Sequence, residues 1–275
     1  MKSKQPTILL LAALCGLYPL FPVWAQEPHA DHHPHSEATA TSPSYQVSIA
    51  IADGIQAGVP FAAAIHIRDS QGKAVENFDI FQEKLMHLIL VDSALGSFQH
   101  LHPVYVDKGS FHTDILLPEA GNHFLFSDFM PTGDREQLAV IEITSAGTPS
   151  PKGDAEPVLT TEKIVGDTKV VMTLAPQPVT ARGETIVAFE LSDAESLRPL
   201  VDIQPYLGEK GHLVVLRKTS PLTAKDYIHA HAVKEEASSA IRFTTRFPVP
   251  GFYRLWCQFN RGGTVQTADF WVEVE

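Results

Sequence analysis

The stretch Tyr45-Gln46-Val47-Ser48-Ile49-Ala50-Ile51-Ala52 decides the fold. Val47, Ile49 and Ile51 alternate with Ser48, Ala50 and Ala52. A two-residue period of this kind belongs to a strand with one face on a core. Outward from it, Phe61 to Ile67 and Leu85 to Val91 are further short apolar runs. Asp53-Gly54, Gln71-Gly72, Lys108-Gly109 and Ala120-Gly121 punctuate them as turns. No long stretch carries a helical period. Short strands at regular spacing with turn signals between them predict an all-β sandwich.

The pattern occurs twice. Pro60 to Asp69 is answered by Glu184 to Asp193, Met86-His87-Leu88 by Gly211-His212-Leu213, and His100-Leu101-His102 by His229-Ala230-His231. Leu117-Pro118-Glu119-Ala120-Gly121 is answered by Phe247-Pro248-Val249-Pro250-Gly251, and the offset between halves drifts only from 124 to 130 residues. A fixed period of this length marks a repeated structural unit. The expected architecture is two tandem immunoglobulin-like or cupredoxin-like β-sandwich domains, residues 46–144 and 158–275. A Pro-, Gly-, Ser- and Thr-rich linker, 145–157, joins them.

The N-terminus reads as an export signal. Lys2 and Lys4 precede the apolar run Ile8 to Leu17, which is too short to span a bilayer, and Val23-Trp24-Ala25 ends in a cleavage pattern. Residues 1–25 are therefore expected to be a signal peptide and the protein periplasmic, with no membrane insertion after cleavage. Residues 26–45 are expected to be a disordered linker. They carry His29, His32, His33 and His35, a tract suited to loose metal capture.

The formal charge is −11, and becomes −13 once Lys2 and Lys4 are removed, because 19 basic residues then face 32 acidic ones. This excludes an electrostatic footprint for nucleic acid and favours cations. Of the two cysteines only Cys257 lies beyond the signal, so no intramolecular disulfide is expected. Cys257 reads as a buried structural thiol.

Six of the thirteen histidines form matching triplets: His87, His100, His102 and His212, His229, His231. In a strand, residues i and i+2 share a face, so each His-x-His projects its imidazoles together, roughly 7 Å apart at Cβ. Pairing His87 with His102 centres a hairpin between Ala94 and Leu95, and pairing His212 with His231 centres one on Pro221-Leu222. Both centres fall in turn-forming sequence. The lone histidine then faces the pair, within about 5 Å at Cβ for directly opposed residues. Three imidazoles with a fourth position open form a metal site. Imidazoles without thiolate suit Cu(II) or Zn(II) as the bound ion. Met86 and Met130 are candidate thioethers in the first half, while Met172 is remote from the second triplet. His66, His112 and His123 carry less weight, with His123 the best spare ligand, and Asp128 is a candidate acceptor for an imidazole N–H.

The runs Lys84 to Leu88, Phe98 to Pro103 and Phe124 to Phe129, with Gly211 to Leu216 and Tyr227 to His231, resemble small exported bacterial domains found beside heavy-metal efflux systems. The resemblance spans roughly residues 46 to 275 and implies a sandwich fold and metal handling, with an efflux component as partner. Periplasmic copper chaperones of the cupredoxin-like type use a spaced His-x-Met. The His-x-His here departs from that set and favours a divalent ion. The expected function is a periplasmic metal-binding protein that buffers or delivers Cu(II) or Zn(II). The alternative is a metal-independent interaction or assembly module with structural histidines. No acid is placed beside either triplet as a general base, and an enzyme is not expected.

Overall fold

A computed structural model describes residues 35–41, 44–52, 54–148, 156–232 and 240–275. The expected signal peptide, the tract up to residue 34 and most of the linker lie outside the described residues.

The alternating stretch forms β2 (Tyr45–Ala52), whose Val47, Ile49 and Ile51 are buried while the residues between them are not. It pairs with β1 (His35–Thr41) on one side and β3 (Phe61–Asp69) on the other. The first half continues through β4 (Met86–Asp92), β5 (Phe98–Leu101), β6 (Val104–Asp107), β7 (Ser110–Ile115), β8 (Gly121–Phe129) and β9 (Gln137–Ser145). Two antiparallel sheets result, in the orders β1-β2-β3-β7-β6 and β5-β4-β8-β9. Their facing apolar rows form one core that includes Val47, Ile65, Leu88, Phe111 and Leu125. The turn between β6 and β7 requires its glycine. Gly109 has φ +73° and a Cβ there would lie 2.5 Å from the Ile67 carbonyl oxygen.

The second half repeats this order with β10 (Glu162–Val165), β11 (Thr168–Ala175), β12 (Glu184–Asp193), β13 (His212–Arg217), β14 (Tyr227–His229), β15 (His231–Ala232), β16 (Ala240–Arg246), β17 (Gly251–Arg261) and β18 (Thr264–Val274). Its sheets run β10-β11-β12-β16-β15 and β14-β13-β17-β18, strand for strand the order of the first half. Its own core gathers Val170, Phe189, Leu213, Phe243, Leu255 and Phe270. Cys257 is fully buried in that core, and burial pushes its thiol up from the usual range.

One expectation is corrected in the first half. The stretch 26–45 is not linker throughout, because His35–Thr41 forms β1; β10 holds the matching place in the second half, within the expected bounds 158–275. Both are sheet edges. An edge strand is held by backbone hydrogen bonds and needs no apolar alternation, so its sequence gives little signal.

The two domains also share a core. Along β4, Met86, Leu88 and Leu90 face the first domain's interior, whereas Ile89 and Val91 join a separate buried cluster with Phe126, Val214, Leu216 and Trp256. The sheet β5-β4-β8-β9 thus packs on the sheet β14-β13-β17-β18. The contacts are reciprocal. Phe98 stacks on Trp256 at 4.8 Å and Tyr227 stacks on Phe126 at 5.7 Å. Phe98 and Tyr227 hold matching places, opposite Val91 and Leu216, and Phe126 and Trp256 hold matching places, opposite Ile89 and Val214. When contact i–j is mirrored by contact j–i in this way, the interface obeys an approximate two-fold rule.

Candidate metal centre

Backbone pairing in both hairpins follows the register read from the histidine spacing. Leu88 opposes Leu101 and Ile89 opposes His100, which aligns His87 with His102 just beyond the end of β5. In the second domain Val214 opposes His229, the same alignment carried over. The chain then changes sheets. After His102 and Pro103 it enters β6, and His231 pairs with Thr244 in the opposite sheet of its domain.

His87, His100 and His102 converge, with one ring nitrogen of each within 4.8 Å of the others. Alternation along β4 turns His87 away from its own domain's core and toward the seam, and it is buried there. The second domain contributes to the same place. The His212 ring lies 4.8 Å from that of His100 and 6.0 Å from that of His87, stacked on the latter at 12°. The side chains of His229 and His231 lie outside the described residues.

The hydrogen bonds settle which nitrogens face inward. His87 Nε2 donates to the Phe81 carbonyl oxygen at 3.1 Å, and His100 Nδ1 donates to Gln258 Oε1 at 2.7 Å. When both imidazoles are neutral, with one N–H each, these outer bonds leave His87 Nδ1 and His100 Nε2 as the inward-facing nitrogens. These two nitrogens are 3.0 Å apart. Two acceptors at contact distance repel each other unless an electrophile lies between them. Nitrogens bound to one tetrahedral zinc at its usual bond length stand about 3.3 Å apart. Burial, then His212, hold His100 well below the usual imidazole range against the opposing pull of Gln258. Burial, then His87 and Lys84, bring His102 down to about 4. His100 and His102 are thereby held toward the neutral form, the one that binds metal. His102 Nε2 is buried and has no hydrogen-bond partner.

Access is available. A cleft of about 520 Å³ reaches His100 and His102 between Glu83 and Lys84 of one domain and Pro205 and Tyr206 of the other. The tight turn at its lip, Phe81 to Lys84, carries Gln82 and Glu83 at φ 47° and 65°.

The other candidates sit elsewhere. His123 opposes Asp92, five pairs along from His87, and as a satisfied buried histidine its Nε2 donates to the Glu119 carbonyl oxygen (2.9 Å) and lies 3.3 Å from Ser145 Oγ. It is not near the triad, because the glycine turn before it leads into β8 at the far end of the sheet. His112 Nε2 contacts Ser110 Oγ. Met86 and Met172 belong to the domain cores, so neither thioether reaches the imidazoles. Asp128 opposes His87 and is buried. Histidine spacing does not reveal Gln258. The signal for it was the unbroken apolar runs Leu88 to Val91 and Leu213 to Leu216, which mean that both faces of β4 and β13 are covered.

A family model described as Domain of unknown function (DUF8832) matches residues 33–146 and again residues 163–275. No curated protein matches the chain. Among solved structures, the Escherichia coli adhesin FdeC aligns over 86% of this chain at 13% identity with a TM-score of 0.28, and this chain spans 65% of that one. Domains 4 and 5 of the S-layer protein SbsC align over 87% of this chain and 98% of their own at 11% identity and a TM-score of 0.23. Superpositions this loose bear on neither fold nor function, and none of these descriptions names a metal or an efflux system.

Proposed function

The chain belongs to the DUF8832 family, carrying two copies of its domain, and on that premise we propose that it is an exported metal-binding protein. It binds Cu(II) or Zn(II) through His87, His100 and His102, with His212, His229 and His231 as the counterpart set, and buffers or hands on the ion in the periplasm. Binding, not catalysis, is the proposed role.

One observation carries this reading. One ring nitrogen of each of His87, His100 and His102 lies within 4.8 Å of the others, while the outer nitrogens of His87 and His100 are taken by Phe81 and Gln258. Borderline divalent ions suit an all-imidazole set.

The test is metal stoichiometry of the purified protein by elemental analysis after dialysis against Zn(II) or Cu(II). The His87→Ala/His100→Ala/His102→Ala protein is expected to lose at least one bound ion per chain. Unchanged stoichiometry and affinity in that variant would refute the proposal.

A further inference from the structure

His100 sits in the first domain, yet its outer hydrogen-bond partner does not. Gln258 lies on β17 of the second domain, opposite His212, and is buried. Its amide nitrogen reaches Thr267 Oγ1 at 3.4 Å on the neighbouring strand, which leaves the oxygen to accept the His100 N–H at 2.7 Å. The amide therefore holds His100 in the tautomer that presents Nε2 to His87. The His212 ring, from the same two paired strands, stacks on His87 and walls the cluster on that side.

We infer that the centre is completed across the domain seam, with Gln258 as the positioning residue for His100, so that ion binding and docking of the two sandwiches are one linked equilibrium. This rests on the triad as the metal site.

The physical reasoning has two parts. Undocking removes the acceptor of the His100 N–H, and the ring is then free to carry its proton on Nε2, where it blocks the ion. Docking thus prepares the ligand. A metal-bound histidine depends on such an outer partner, whose loss typically lowers affinity 10–100-fold. By reciprocity, whatever docking adds to ion affinity, the ion adds to docking. The seam that carries this coupling is apolar and reciprocal, with Trp256 two residues before Gln258 on the same strand and on the same face.

The experiment uses the full purified chain with Zn(II) and Co(II) as probes. Zinc affinity is measured by competition with a chromophoric chelator, and coordination by the visible absorption of the Co(II) form. Gln258→Leu is expected to weaken zinc binding 10–100-fold and to alter the Co(II) spectrum. Gln258→Glu, which keeps an acceptor, is expected to restore both. Trp256→Ala loosens the seam without touching a ligand and is expected to weaken zinc binding several-fold. Zinc should slow protease cleavage between residues 146 and 161 in the wild type and less so in Gln258→Leu. If Gln258→Leu and Trp256→Ala bind zinc as the wild type does with an unchanged Co(II) spectrum, this inference is wrong while the triad reading stands. If the triple alanine variant of the triad still binds as the wild type does, the triad reading itself is wrong.

Discussion

Replacing His102 with leucine should make the metal-free protein more stable and the zinc-loaded protein less stable. His102 Nε2 is enclosed and unpartnered. An orphaned buried polar atom costs about 1–3 kcal/mol, and for a half-buried ring the lower end, about 1 kcal/mol, applies. Leucine fills a similar space without that atom, so in a chelator His102→Leu should gain about 1 kcal/mol. Zinc reverses the order. An ion that binds only the folded state at about 100 times its dissociation constant adds about 2.7 kcal/mol, and the variant forgoes that increment at this centre. At saturating zinc the variant should therefore fall about 2 kcal/mol below the wild type. Urea unfolding in EDTA and in buffered zinc measures both numbers. A structural histidine predicts the opposite sign in EDTA. If His102→Leu is less stable than the wild type in chelator and keeps the full zinc increment, the lone-pair argument fails.

Metal-free stability should depend on pH in a defined window. The unfolded imidazoles titrate near about 6.5, whereas folded His100 and His102 are depressed, His102 to about 4. The unfolded chain therefore binds more protons between these values. Stability is complete above about pH 6.5 and declines as pH falls toward about 4, and urea midpoints at pH 7 and 4.5 should show a shallower decline for His102→Leu. Cys257 should resist a chromogenic disulfide reagent at pH 8 in native buffer and react once urea unfolds the second domain, since the thiol is buried and its ionisation disfavoured. Gln82→Asn with Glu83→Gly should raise stability by roughly 0.5–1 kcal/mol, because two adjacent residues with positive φ are relieved. A rise in urea midpoint with unchanged slope checks it.

Much of this was legible from residues. The two-residue alternation of Val47, Ile49 and Ile51 gave the strand and its buried face, and the histidine spacing gave the register of both hairpins to the residue. What stayed hidden shares one cause. Strands β1 and β10 pair through backbone at sheet edges, where side chains need no pattern. Contacts from His212 and Gln258 to the first triad join residues more than a hundred positions apart, and no local period encodes a partner at that distance. Expecting a separate site for each domain follows naturally from a repeat. The repeat is silent on a separate point, that two copies with an apolar outer face bury that face on each other.

The reciprocal packing has a further consequence for how such a chain can change. In a homodimer every residue at a two-fold interface appears twice, and any substitution is felt on both sides. Here the halves are one polypeptide, joined through residues 146–161. A short covalent tether supplies an effective concentration of about a millimolar, so the faces stay matched without the affinity a free dimer needs. Each half is then free to diverge alone. Phe126 faces the seam where the other half has Trp256, and Asp128 opposes His87 where Gln258 opposes His212. An amide thus stands in one half where a carboxyl group stands in the other, an inequality that identical subunits cannot hold.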